Sequence, residues 1–92
     1  MIKSFRHTGL EKFSRTGSKA GIQPHHAAKL ERQLAVLNRA KAPEDMEKPV
    51  SWRLHALQGK EKLWSIWVNG NWRLTFTFEG EDAILVDYQD YH

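Results

Sequence analysis

Apolar positions recur at two different periods along this chain, and the change between them divides it in two. In "IQPHHAAKLERQLAVLNRAKAP", Ala27, Leu30, Leu34 and Leu37 fall on one stripe of a helix. Pro24 suits the first helical turn, and Pro43 lies beyond the end. Upstream, "MIKSF" is a short β-compatible run, after which Leu10 and Phe13 stand at helical spacing until Gly17 and Gly21 interrupt them. A short strand, a short helix and then the main helix are predicted.

From Trp52 onward the pattern alternates, in short runs separated by "QGKEK", "NGN" and "EGED". The apolar sets are Trp64, Ile66 and Val68, then Trp72, Leu74, Phe76 and Phe78, then Ile84, Val86 and Tyr88. The expected fold is therefore α+β: two N-terminal helices packed on a mostly antiparallel meander of about four strands, in one domain spanning residues 1–92.

The "NGN" turn decides which side chains share a face. A two-residue loop centred on Asn69 and Gly70 would pair Ile66 with Arg73 and put a cation in the apolar layer. A three-residue loop, Asn69 to Asn71, pairs Val68 with Trp72, Ile66 with Leu74 and Trp64 with Phe76. That register sets Trp67 opposite Arg73 and Ser65 opposite Thr75 on the outer face.

The same parity makes the ending "VDYQDYH" a problem. If the last strand keeps alternating, Asp90 follows Ile84, Val86 and Tyr88 into the core, and an unpaired buried carboxylate is too costly. The strand is expected to end or twist near Tyr88, freeing residues 89–92 to curl over the sheet, with Tyr91 as a lid. A solvated acidic-aromatic tail is the other reading.

Charge sharpens the division. The net charge is +3, but residues 1–62 hold 13 of the 14 Lys and Arg against 6 of the 11 acids, leaving +7 there and −4 in the remainder. Seven of the ten aromatics lie in the last thirty residues, with Arg73 as their lone Lys or Arg. A basic first part suits a polyanionic partner or is simply a solvated helical surface. With no cysteine, disulfides and thiolate zinc sites are excluded, and a reducing cytosol is the natural setting. No apolar run approaches the ~18 residues of a membrane span, and the start lacks a signal-peptide core, so a soluble, cytoplasmic protein without membrane attachment is expected.

Candidate chemistry is sparse. Arg73 reads either as a strand residue whose guanidinium rests on Trp67 or as a phosphate clamp. Trp67 is an isolated surface aromatic or a platform for a base or ribose. Lys60 and Lys62 lie in the "QGKEK" turn, where lysines are commonly just solvated. His25 and His26 are adjacent at a helix start and make a poor metal pair, and His7 and His55 have no partner at ligand spacing, so no metal or other cofactor is expected. Gly-rich phosphate loops and serine nucleophile elbows are absent.

"MIKSFRHTGLEKF", the long helix, "EDM" after "AP", "WRLHALQG", "SIWVNGNWRLTF" and "VDYQDYH" occur in an order and at a length that resemble the HigB toxins, or plasmid maintenance system killer proteins, of the RelE/ParE superfamily. The resemblance covers nearly the whole chain. It implies a small α+β toxin of a type II toxin-antitoxin pair, neutralised by a HigA-like helix-turn-helix antitoxin, through which alone it would meet operator DNA. It further implies a ribosome-dependent endoribonuclease (mRNA interferase) that cleaves translated mRNA in the ribosomal A site against rRNA, inhibiting translation and growth. In that chemistry the ribose 2′-hydroxyl attacks the adjacent phosphate, giving a 2′,3′-cyclic product and a free 5′-hydroxyl.

Carried over by residue, the resemblance makes Lys60, Arg73, Asp90 and His92 catalytic and has Tyr91 stack on or orient the nucleotide; Trp67 and Lys62 are candidates for substrate contact on their residue types alone. Arg73 and Lys60 would stabilise the pentavalent phosphorane. Asp90 and His92 would exchange protons, with base and acid unassigned. Many relatives carry arginine where this chain has Trp67 and Thr77, which bears on ribosome affinity. Two alternatives stand beside the nuclease: a ParE-like, non-catalytic gyrase-inhibiting toxin, and a degenerate toxin acting only as corepressor with its antitoxin.

Overall fold

A computed structural model describes residues 1–59 and 62–91 of the chain. Two of the residues singled out above, Lys60 and His92, lie outside the described residues. Helix α1 (Thr8–Thr16) and helix α2 (Ala27–Arg39) pack on an antiparallel sheet of β1 (His55–Ala56), β2 (Trp64–Asn69), β3 (Trp72–Glu79) and β4 (Asp82–Asp90), in the order β1-β2-β3-β4. The architecture is the expected α+β meander under two helices.

Helix α1 starts where the His7 imidazole accepts from the backbone N–H of Leu10 at 2.9 Å, which satisfies a first-turn donor. It ends at Gly17, in the left-handed region at φ 80, whose N–H bonds Phe13 O. Leu10 and Phe13 are its buried residues. A 3-10 turn, Pro24–His26, leads into α2, and Leu30, Leu34 and Leu37 form the buried stripe. Gln33 is buried in the same helix and donates from Nε2 to the carbonyl of Trp67 at 2.9 Å. Gly9 and Gly21 touch backbone to backbone: a Cβ on Gly9 would sit 2.6 Å from Gly21 O.

The helices cover the sheet face made by Ile66, Val68, Leu74, Phe76, Ala83, Val86 and Tyr88, all buried. In the β2–β3 hairpin Trp64 pairs with Phe76, Ser65 with Thr75, Ile66 with Leu74 and Trp67 with Arg73, as the alternation predicts. The loop itself closes tighter than predicted. Asn69 pairs with Trp72, Val68 is taken up in a bulge, and Gly70 turns the chain at φ 57.

Strand β4 departs from the expected parity. Its register against β3 shifts between Thr75 and Thr77, and Leu85 sits there at φ 56. Ala83, not Ile84, therefore fills the core position opposite Phe78, while Ile84 faces out opposite Thr77. The unusual backbone is held from the other end of the chain: Ser4 Oγ accepts from Leu85 N–H at 2.9 Å. The predicted first strand is a ribbon parallel to β4, bridging Ile2 to Ala83 and Phe5 to Val86. Among the described residues, no helix is long and apolar enough to cross a membrane.

Candidate functional site

The β2–β3 turn organises the outer face. Gly70 O accepts from the indole Nε1 of Trp67 at 2.8 Å and from Arg73 Nη1 at 3.4 Å; Arg73 Nη1 also reaches Trp72 O at 3.2 Å. The Arg73 head is thus tied to turn carbonyls, not laid on the indole as one reading of the sequence had it. The cations over the Trp67 ring come from elsewhere. Lys29 Nζ lies 4.4 Å and Arg53 Cζ 4.6 Å from its centroid. A base stacking on Trp67 would compete with both.

Arg73 pairs across to Gln89, and one row further Ser65, Thr75 and Asp87 share the face. Ser65 and Thr75 are buried there, and their hydroxyls have no hydrogen-bond partner among the described residues. Asp87 accepts from the N–H of Tyr88 and from the Gln89 amide.

His55 stands opposite Ser65 in β1, exposed, on the same side as Arg73. Its Nδ1 lies 3.0 Å from the Arg53 carbonyl. A carbonyl only accepts, so Nδ1 is the donor here, and in the neutral imidazole Nε2 is left as the acceptor nitrogen. Sequence reasoning tested His55 only for metal-ligand spacing. The signal that places it is its pairing with Ser65, which the two-residue strand is too short to advertise.

The terminal run behaves differently from expectation. Strand β4 does not stop near Tyr88; it continues to Asp90, which pairs with Trp72, and Tyr91 N–H bonds Asn71 O at 2.8 Å. Asp90 avoids burial without any curl: the strand keeps its pairing and the residue is exposed at its end. By register Asp90 stands on the side of Trp72 and Tyr88, and Gln89 on the side of Arg73. Tyr91 is 41% exposed beside the hairpin turn, an edge residue more than a lid.

Behind this end lies a buried brace. Tyr88 stacks on Trp72 with centroids 4.5 Å apart, and its hydroxyl is 2.6 Å from His26 Nδ1 while accepting from Gln23 N–H at 3.3 Å. Burial, then the charges of His25 and Lys29, push the His26 imidazole below its ordinary range. Burial first, with the Asp90 charge adding to it against the Gln23 bond, pushes the Tyr88 phenol up. Both are neutral near pH 7, and the phenol and the imidazole share one hydrogen bond.

The structure therefore brings Trp67, Arg73, Asp90 and Tyr91 together around one turn. It does not bring Lys62 there. Lys62 O accepts from Thr77 Oγ1, and Thr77 lies four residues along β3 from Arg73, about 13 Å away at strand rise. Among the described residues no group of three His, Cys, Asp or Glu is arranged to hold a metal ion.

Residues 3–92 match the family described as RelE-like toxin of type II toxin-antitoxin system HigB. The chain is 36% identical over 93 residues to Endoribonuclease HigB of Proteus vulgaris, with the whole of both chains covered. A family match of that extent, on a chain with this helix-covered antiparallel sheet, is decisive: the chain belongs to the HigB-like toxins, the RelE-like toxins of type II toxin-antitoxin systems.

Proposed function

We propose that this toxin is an endoribonuclease that cleaves translated mRNA in the ribosomal A site. The reading is carried by one observation: Tyr91 N–H is bonded to Asn71 O, which holds the chain at Tyr91 against the hairpin that bears Arg73. Full-length similarity to an endoribonuclease supports it. The partners are an HigA-like antitoxin, the ribosome and the message, and the compartment is the cytoplasm.

The chemistry needs a base for the ribose 2′-hydroxyl, a positive charge at the phosphorane and an acid for the departing 5′-oxygen. Arg73 supplies the charge. His55, with Nδ1 at the Arg53 carbonyl and Nε2 exposed as the acceptor of its neutral form, is the candidate base on this face. Asp90 sits at the same end with Tyr91 to orient the nucleotide. Lys60 and His92 keep the roles that the family resemblance gives them: charge stabilisation and proton transfer. The 2′-oxygen bonds to phosphorus as the P–O5′ bond breaks, leaving a 2′,3′-cyclic phosphate and a 5′-hydroxyl.

The test is in vitro translation with the purified toxin, mapping the 5′ ends of the message and assaying gyrase supercoiling in parallel. New 5′-hydroxyl ends inside codons, with gyrase unaffected, are expected. Intact message with blocked supercoiling would replace the nuclease by a ParE-like inhibitor, and inactivity in both assays by a corepressor. Lys29 and Arg53 at Trp67 weigh against degeneracy, because positive charge persists where relatives carry an arginine.

A further inference from the structure

Past Val86 the last strand has one neighbour in place of two. The ribbon from the amino terminus bonds β4 as far as Val86 O, which accepts from Arg6 N–H at 2.8 Å. From Asp87 to Asp90 the pairings described are with β3 alone. A strand end bonded on one side frays readily, yet this one carries Asp90 and leads into Tyr91. Of residues 87–91 only Tyr88 is buried, so its side chain is the buried anchor of this end.

Packing alone would hold the ring without its oxygen: it stacks on Trp72, and the His7 ring meets it edge-on at 5.4 Å. The hydroxyl adds two directed contacts, 2.6 Å to His26 Nδ1 and 3.3 Å to the Gln23 N–H, in the turn that opens α2 and its cap. Such a buried polar pair adds little net stability over an apolar one, but it admits a single geometry. His26 also sets its ring edge against Trp72 at 5.7 Å, so Trp72 is held by both partners of the pair. Trp72 is the link to the site. Its carbonyl accepts from Arg73 Nη1, and across the strands it pairs with Asp90. We propose that His26 and the Tyr88 hydroxyl are positioning residues for RNA cleavage: through Trp72 they fix Arg73, Asp90 and Tyr91 relative to one another. Both are buried, so they act without touching the RNA. The proposal rests on the ribonuclease reading above.

The experiment follows single-turnover cleavage on ribosomes programmed with message against toxin concentration, which separates the saturated rate from the half-saturating concentration. Thermal unfolding of each variant accompanies it. Tyr88→Phe keeps the stack on Trp72 and removes only the hydroxyl. Its saturated rate is expected to fall by about 10- to 100-fold, as a small misplacement of reacting groups requires, with half-saturation within about 2-fold of wild type. His26→Leu should behave alike, and His26→Asn, which puts an amide near the place of Nδ1, should recover most of the rate. The double variant Tyr88→Phe with His26→Leu should be no slower than either single one, because both remove one contact. Leu37→Val, buried at the far end of α2, is the control: it lowers the melting temperature and leaves the rate as it is. Wild-type cleavage by folded Tyr88→Phe would overturn the positioning role. So would rates that track melting temperature in every variant, Leu37→Val included. If Tyr88→Phe does not fold, the contrast between His26→Asn and His26→Leu decides, and equal rates there overturn the role. A wild-type protein that cleaves nothing would overturn the ribonuclease reading and this role with it.

Discussion

Trp67 and Arg73, opposite each other on neighbouring strands, donate to one acceptor, the carbonyl of Gly70. The indole fixes the turn carbonyl that the guanidinium also uses, so the position of Arg73 depends on Trp67. Trp67→Phe keeps an aromatic face for Lys29 and Arg53 but loses the Nε1 donor. It should cost about 1 kcal/mol in denaturant unfolding and lower cleavage. Trp67→Ala, which also disperses the cations, should cost more on both counts. Equal cleavage in all three proteins would separate Arg73 from the indole.

Arg73 is half-buried, bound only to carbonyls at the turn among the contacts described, so its removal strands no buried charge. Arg73→Ala should leave stability within about 0.5–1 kcal/mol and antitoxin binding intact. Single-turnover cleavage on the ribosome should fall by about 10²–10³, the usual loss of one transition-state charge contact. A fully active Arg73→Ala protein would move the site elsewhere.

The His26–Tyr88 brace predicts an acid limb in stability. His26 has a folded-state pKa below its ordinary 6.5, so the unfolded chain binds the proton more readily. The contribution is complete above about pH 6.5 and is lost as pH falls from there toward the folded pKa. Tyr88 has the opposite sense: its raised pKa gives a contribution that is complete below about pH 10 and fades above it. Denaturant midpoints across pH 4 to 8 should show the acid limb, and His26→Gln should flatten it. An unchanged limb in that variant would assign it to other groups.

Gly9 and Gly21 test the packing beneath α1. Neither has a positive φ, so the cost of a side chain is steric: a Cβ on Gly21 would lie 2.5 Å from Gly9 Cα. Backbone cannot swing aside as a side chain can, so Gly21→Ala should destabilise by about 1–3 kcal/mol. A thermal melt at the wild-type temperature would refute the close approach.

The parts of this fold that local pattern controls are the parts readable in advance. Leu30, Leu34 and Leu37 form the buried stripe of α2, and Ile66 with Leu74 and Trp64 with Phe76 share a face because side-chain alternation has a period of two. The misreading began at Leu85, whose left-handed backbone inverts parity and is held by Ser4, from the far end of the chain. Local alternation carries no trace of that bond, so Ile84 was expected inside and Ala83 was not. Asp90 shows a related limit: alternation gives its side of the strand, but not that the side is exposed at the strand's end, so the strand runs on to Asp90 where parity argued for a stop near Tyr88. The site divides likewise. Arg73 and the terminal residues stand out by residue type and resemblance. Arg53 and Lys29 at Trp67, and His55 facing outward, arise from the meeting of separated segments.

Gln33 has a wider consequence. Among the described residues strand β1 covers β2 only at Trp64 and Ser65, so beyond them β2 presents a strand edge, the kind of template along which a second chain adds a strand. Gln33, fully buried in α2, spends its amide on the Trp67 carbonyl at that edge. One side chain thereby occupies an acceptor that a neighbouring backbone would otherwise recruit, and the bulge at Val68 bends the strand just past it. A helix side chain thus covers part of the edge that the two-residue strand leaves open, and the same bond ties α2 to the strand that carries Trp67.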